Sequence, residues 1–388
     1  MNEDSLSQVT KSILQQFAKL SKKGKPKDSE WTVLSSIFLF KEDKPSDFHI
    51  VCLATGTKCL DGDTRRQSLP GTLLHDSHAE VLARRGLIYW ILEQIDTVSR
   101  GGISIFIAKC PDGHYEWVQK WKIGMVSTHL PCGDATIFVK PSDIAEGECE
   151  PECKRQKLDM NRTGAKVVTG EEEEDPRLPG PEYHRVGGLR TKPGRGERTL
   201  SLSCSDKILK WNILGLQGSL CSHLLRDKLH LDCFVILGNT FNKGSLQRAF
   251  FDRLIINTQR NSTSVHVNEI FNVPCNFAYS KSDTRSGPCP DSVVWVDGGN
   301  EGRIHEALTN GHKQGWSSKK LNNPKSWSAL SQRHLCKKFL KIADCKSGQS
   351  YGKIKSTSPQ HLMKQNTTIS LLKQWPKKGQ SEFVIDSL

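Results

Sequence analysis

The chain has 388 residues, of which 36% are hydrophobic and 31 are glycine, a composition near that of globular proteins. It excludes wholesale disorder, collagen and coiled coil, and no apolar run approaches the ~20 residues that span a bilayer. Fifty-five Lys and Arg against 42 Asp and Glu leave a net charge of +13, which favours polyanions such as nucleic acid or inositol phosphate as partners.

In chain order, the first thirty or so residues are polar and helix-prone, and their acidic start, Met1-Asn2-Glu3-Asp4, is not a signal peptide. Val33–Phe40 and His49–Leu53 are β-branched and apolar, and the polar run between them suits a hairpin. His78 to about Ile95 has apolar residues near helical spacing, and Ser77 with Glu80 forms an S-x-x-E capping box. Ile103–Ala108, Met125–Ser127, Asp232–Leu237 and Val293–Val296 read as further core strands. Strand, helix, strand alternation predicts an α/β layered domain with a central mixed β-sheet flanked by helices. Residues 141–182, with four consecutive Glu and few large apolar side chains, read as a flexible insertion within one domain of residues 1–388.

Three short segments carry chemistry. They are His75-Asp76-Ser77-His78-Ala79-Glu80, Pro131-Cys132-Gly133-Asp134 and Ser203-Cys204-Ser205-Asp206-Lys207. H-A-E followed by P-C is the pattern of zinc nucleobase deaminases. Catalytic zinc takes three protein ligands and keeps one position for water, whose pKa it lowers. His78 and Cys132 supply two ligands, and Glu80 is placed to move the water proton to the departing amine. The usual P-C-x-x-C is absent because position 135 is Ala. The second thiolate must therefore come from Cys204 or from Cys149 and Cys153 in the polar insertion. Cys204 is preferred because each ligand segment reads as a helix start, where positive partial charge favours thiolate. With 13 cysteines and no secretory leader, free thiols and metal ligands are expected rather than disulfides.

These motifs resemble the adenosine deaminases that act on RNA, and most closely their tRNA-acting branch. Further matching segments are Lys22-Lys23-Gly24-Lys25-Pro26 before Glu30-Trp31-Thr32, Thr55-Gly56-Thr57-Lys58-Cys59, Arg162-Thr163-Gly164-Ala165-Lys166 and Lys192-Pro193-Gly194-Arg195-Gly196-Glu197-Arg198-Thr199. The resemblance implies a cytidine-deaminase-like fold, Cys204 as third zinc ligand, and conversion of adenosine to inosine at position 37 of alanine tRNA, 3′ of the anticodon. It also implies a buried inositol hexakisphosphate. By motif match its ligands are Arg84, Arg85, Ser201, Lys207, Lys210, Trp211 and Ser219, with Tyr351, Lys355, Trp375 and Lys378 in the C-terminal part. Asp76 and Lys207 would relay hydrogen bonds from it to the zinc site. Thr57 and Lys58 would contact the ribose and phosphate near the target, and Arg195 the RNA loop.

There is no spare length for double-stranded RNA-binding domains, and Ser358-Pro359 breaks a C-terminal helix that the resemblance requires. The alternatives are a catalytically silent RNA-binding scaffold of the same fold, a deaminase of another RNA, and a free-nucleoside deaminase. The retained His78, Glu80, Cys132 and Cys204 argue against a silent scaffold. The expected location is intracellular, in nucleus or cytoplasm, with no membrane association and no obligatory protein partner.

Overall fold

The N-terminal segment forms helix α1, Glu3–Lys19, capped by Asn2, whose side chain accepts from the Ser5 N–H at 3.0 Å. Leu6, Val9, Ile13 and Phe17 recur at three- and four-residue spacing and are buried along one stripe. The computed structural model describes residues 1–139, 160–168, 174–193, 199–256, 266, 268–298, 302–343, 348–367, 369–376 and 382–385.

Strands β1 (Leu34–Lys41) and β2 (Phe48–Thr55) form the expected hairpin. Two short strands, β3 (Thr57–Cys59) and β4 (Asp76–His78), then pair antiparallel and lead into helix α2, Ala79–Ser99. Beyond it come β5 (Trp121–Ser127), α3 (Cys204–Leu214), β6 (Cys233–Leu237), β7 (Glu269–Val273), β8 (Asp291–Val296), β9 (Ile304–Thr309) and β10 (His312–Lys313). Helices α4 (Gln332–Ile342), α5 (Tyr351–Ser356) and α6 (Pro359–Gln365) follow.

Eight strands make one sheet in the order β7-β6-β5-β1-β2-β8-β9-β10. The β5, β6 and β7 strands run parallel, and the other neighbours pair antiparallel. The sheet is therefore mixed, as the sequence predicts. Side chains alternate across it. On β6, Phe234 and Ile236 join the cluster built on α2, while Cys233, Val235 and Leu237 join the cluster built on α1. Each large apolar side chain buried this way contributes about 2 kcal/mol. Helix α2 lies close on the sheet because of Gly86, where a Cβ would stand 2.9 Å from that of Cys52.

Three local expectations are corrected. Ile103–Ala108 is not a core strand: only Ile107–Lys109 is extended, and it pairs with Tyr115–Trp117 across the Pro111-Asp112-Gly113 turn, leaving Ile103 90% exposed. The residues after Cys132 form a single turn, Asp134–Thr136, and no longer helix. Ser77 does not cap α2: it lies in β4, and His78 is the N-cap without a side-chain cap bond. The histidine and Glu80 side chains are turned toward Cys132 and Cys204 instead. The Ser358-Pro359 break is real, and it separates α5 from α6 with Ser358 as the cap of the latter.

The stretch 141–182, expected to be a flexible insertion, contributes ordered pieces, while Cys149, Cys153 and the rest of 140–159 and 169–173 lie outside the described residues. Met160–Asn161 pairs with Phe138–Val139, and Lys166–Val167 with Arg190–Thr191. A buried ion network pins this layer. Arg190 holds Asp175 by two bonds of 2.7 and 2.6 Å, and His184 bridges Asp175 to the Thr163 N–H. Burial would raise the Asp175 carboxyl, but its bonds from Arg190 and His184 outweigh that and lower it to about 2. A folded-state value below the ordinary one stabilises above pH ~4, and the contribution disappears as pH falls from about 4 to 2. Asp175→Asn should cost about 3 kcal/mol near neutrality, because it strands the buried Arg190. Denaturation followed from pH 6 to pH 2 should show that penalty shrinking to nothing at the acid end.

Candidate active site

The cleft opens at the carboxyl ends of the three parallel strands, where α/β sheets place their ligands. Its walls are Thr128–Leu130 and Cys132 after β5, Leu237–Thr240 after β6, and Cys275, Asn276, Ser280 and Lys281 after β7. Asn161–Gly164 closes another side, and the volume is about 590 Å³. His78, Glu80 and Cys132 line it.

His78, Cys132 and Cys204 converge, with one ligand atom from each lying within 4.8 Å of the others. The Nδ1 of His78 stands 3.8 Å from the sulfur of Cys132 and 3.6 Å from that of Cys204. Tetrahedral zinc, with Zn–S near 2.3 Å and Zn–N near 2.0 Å, sets such ligand atoms about 3.5 Å apart. The donor set and the spacing both fit zinc. Each ligand is held by its backbone. His78 ends β4, and its N–H donates to Asp76 Oδ1 at 3.1 Å. Cys204 begins α3 behind the Ser203 cap, and its N–H points at the Cys132 sulfur at 3.3 Å. Cys132 precedes Gly133, whose φ of +104° and closeness to Ser203 admit no side chain: a Cβ would meet Ser203 Oγ at 2.2 Å.

A hydrogen bond from Cys204, helped by His78 and Lys192, holds the Cys132 thiol well below its usual range despite burial. Burial and the neighbouring thiolate push Cys204 up. Glu80, in the first turn of α2, is 3% exposed and accepts from the Cys204 sulfur at 3.2 Å. Burial raises its carboxyl, which suits a group that must both take and return a proton.

Behind the ligands lies a buried charge cluster. Asp76 receives Lys192 on both oxygens at 2.9 Å, the Ser201 hydroxyl at 2.6 Å, and Lys207. Burial would raise the Asp76 carboxyl, but Lys192 and Lys207 outweigh it and hold it well below the usual range. Lys192 also donates to the Cys204 sulfur at 3.2 Å, and Asp76 overcomes its burial to raise its pKa. Asp76 thus joins Lys207 to the His78 backbone and to Lys192, which in turn touches Cys204. Sequence reasoning passed over Lys192 as the first residue of a matched loop. Nothing local distinguishes it from other lysines in the chain.

The remaining predicted residues are placed as follows. Arg84 lies over the Trp211 ring at 5.3 Å, and its Nε donates to Leu216 O. The Arg85 Nε donates to Leu330 O at 2.8 Å. Lys210 sits over Trp375 at 4.8 Å, and Tyr351 stacks on Phe383 while its hydroxyl accepts from Gln332. Ser219 and Lys355 are half-buried, in the Gly218–Cys221 turn and in α5. Ser201 and Lys207 are engaged with Asp76 and each other. Thr57 lines the cleft opposite His78 on the β3–β4 pair, and Lys58 follows it, paired with Ser77. Arg195 and Lys378 lie outside the described residues.

A mixed sheet with a His-Cys-Cys ligand set and a buried Glu at the same cleft defines the zinc nucleobase deaminase class. The family model for the adenosine-deaminase (editase) domain matches residues 52–379, and the chain belongs to that family. It is 33% identical to the tRNA-specific adenosine deaminase 1 of Drosophila melanogaster, over 87% of this chain and 82% of that protein. Its identity to the human protein of that name is 27%, over 84% and 85%. To the Drosophila double-stranded RNA-specific editase Adar it is 31% identical, over 66% of this chain and 36% of that protein.

Lys192→Met should retain the fold but loosen the metal site, because Lys207 still neutralises Asp76 while Cys204 loses its cationic neighbour. Zinc content after dialysis against a weak chelator should fall about 10- to 100-fold faster than for the parent protein.

Proposed function

We propose that the chain is a zinc-dependent tRNA adenosine deaminase that forms inosine at position 37, 3′ of the anticodon, in alanine tRNA. The observation that carries the chemistry is the convergence of His78, Cys132 and Cys204 beside the buried Glu80. Zinc bound there would lower the pKa of a water and so supply a nucleophile near neutral pH. Glu80 takes the proton of the water that adds to C6 of the adenine. Glu80 delivers that proton to N1 as the C–O bond forms, and then passes the remaining hydroxyl proton to N6, so that the C6–N6 bond breaks with ammonia leaving and a carbonyl left at C6. With zinc bound, Cys132 and Cys204 would both be thiolates, their charge offset by the metal, by Lys192 and by the α3 N-terminus. Support for tRNA as substrate comes from the relatives whose length the chain matches, and from the net charge of +13. A nuclear or cytoplasmic location belongs to the same proposal.

Glu80→Gln should keep zinc and thermal midpoint and lower turnover by at least about 100-fold. Inosine reads as guanosine, so sequencing total tRNA after incubation with each protein measures it. Near-normal inosine with Glu80→Gln would remove the proton-shuttle role. A zinc-loaded, folded parent protein that edits no tRNA would move the reading to another RNA.

We also propose inositol hexakisphosphate as a buried structural ligand. Arg84 and Arg85 are half-buried neighbours on α2. Neither pairs with a carboxylate among the described residues. Burial, with Arg85 beside it, lowers Arg84 to about 10. Lys355 and Lys364 repel each other in the same region, and both repel His361, as does Lys210. Two adjacent arginines withdrawn from water favour an anion beside them. The ligand set we propose for it is Arg84, Arg85, Lys210, Trp211, Ser219, Tyr351, Lys355 and Trp375. Arg85→Glu should therefore yield insoluble or non-cooperative protein, and acid extracts of the parent protein should contain organic phosphate. A soluble, cooperative Arg85→Glu protein would sink this assignment.

A further inference from the structure

The segment Glu30-Trp31-Thr32 takes no part in the chemistry above, yet Trp31 lines the cleft together with His78, Glu80 and Cys132. It is the one Trp, Tyr or Phe among the described residues that do so. Its position is built rather than incidental. Glu30–Trp31 runs parallel to Gly287–Pro288 outside the main sheet, and the indole Nε1 donates to Ser286 O at 3.2 Å. That bond leaves the ring without freedom to swing away.

Beside it stands His129, its ring centroid 6.4 Å from the indole and tilted by 57°. The Nδ1 of His129 is buried without a hydrogen-bond partner among the described residues. Burial lowers its pKa, so the imidazole is neutral at physiological pH. Arg162 and Lys281 line the same cleft and supply positive charge. A half-buried indole on the wall of an open cleft leaves part of its ring uncovered by protein, and a flat ligand would bury that remainder.

Depth separates this ring from the reacting base. Glu80 is 3% exposed at the floor, whereas Trp31 is tied to the Ser280–Ser286 loop, which carries Lys281 at the rim. The base that reacts must reach Glu80, so a second base is assigned to the more exposed ring. We propose that Trp31, with His129 beside it, is the stacking platform for a nucleobase adjacent to the target adenosine in a single-stranded RNA loop; this rests on the tRNA reading above. Stacking tolerates any base identity but needs a free π-face, which a base inside a duplex does not offer. Trp31 thereby selects unpaired loops over duplexes without reading their sequence.

The test is a cycle between protein and RNA. Hairpin RNAs carry the target adenosine in the loop, with an intact or abasic nucleotide on its 5′ or its 3′ side. Trp31→Ala should raise KM on the intact hairpin by roughly 10- to 100-fold, the scale of one lost base–aromatic stack, and change kcat less. Trp31→Phe should recover most of the loss. The parent protein should lose a similar factor on one of the two abasic hairpins, and Trp31→Ala should lose nothing further on that RNA. Should Trp31→Ala not fold, Trp31→Phe against Trp31→Leu carries the same cycle, since leucine fills space without a π-face. Losses that multiply on both abasic hairpins, or an unchanged KM, overturn the proposal. A zinc-loaded parent protein inert on the intact hairpin and on tRNA removes the tRNA reading itself, and this proposal with it.

Discussion

One buried carboxylate organises this molecule. Asp76 accepts Lys192, Lys207, Ser201 and the His78 N–H, and so joins β4, the 190s segment and α3 at a single point. These groups come from positions up to 131 residues apart. A lone carboxylate at that depth would take up a proton, and lone lysines would lose theirs. Together they remain charged, and their geometry sets where His78 and Cys204 stand. The ligand set is therefore preorganised by electrostatics that lie outside it.

The same balance explains part of the positive charge of the chain. Some of it belongs to the surface, where it suits a polyanionic substrate. Arg84 and Arg85 instead project from α2 into the interior, one turn beyond Glu80. Their Nε atoms find only backbone carbonyls, Leu216 and Leu330. Helix α2 thus carries Glu80 in its first turn and the two arginines in its second.

The cleft itself is assembled from loops that follow the parallel strands, with a further wall from residues 161–164. That wall hangs on the Asp175–His184–Arg190 network and on the Gly133 N–H, which donates to Thr163 at 3.3 Å. The floor is dictated by metal chemistry. The rim is free to specify the substrate, and there the indole of Trp31 sits beside Lys281.

Much of this was legible in the sequence. His78, Glu80, Cys132 and Cys204 could be read because metal chemistry demands particular residue types next to turns and helix starts. Strands β1, β2, β5, β6 and β8 and helix α2 could be read because period two and period 3.6 are local properties, whereas β3, β4 and β7 were too short or too polar to announce themselves. Local rules failed at Ser77 and Glu80, where a capping box gave way to the needs of the site, and at Ile103 and Ile105, which are apolar but exposed. Only the tertiary structure picked out Lys192 from the other lysines, set α1 against the second face of the sheet, and brought Trp31 to the cleft with Thr163. Each of those choices depends on a partner distant in sequence, and a buried charge or an aromatic wall carries no signature until the fold supplies that partner.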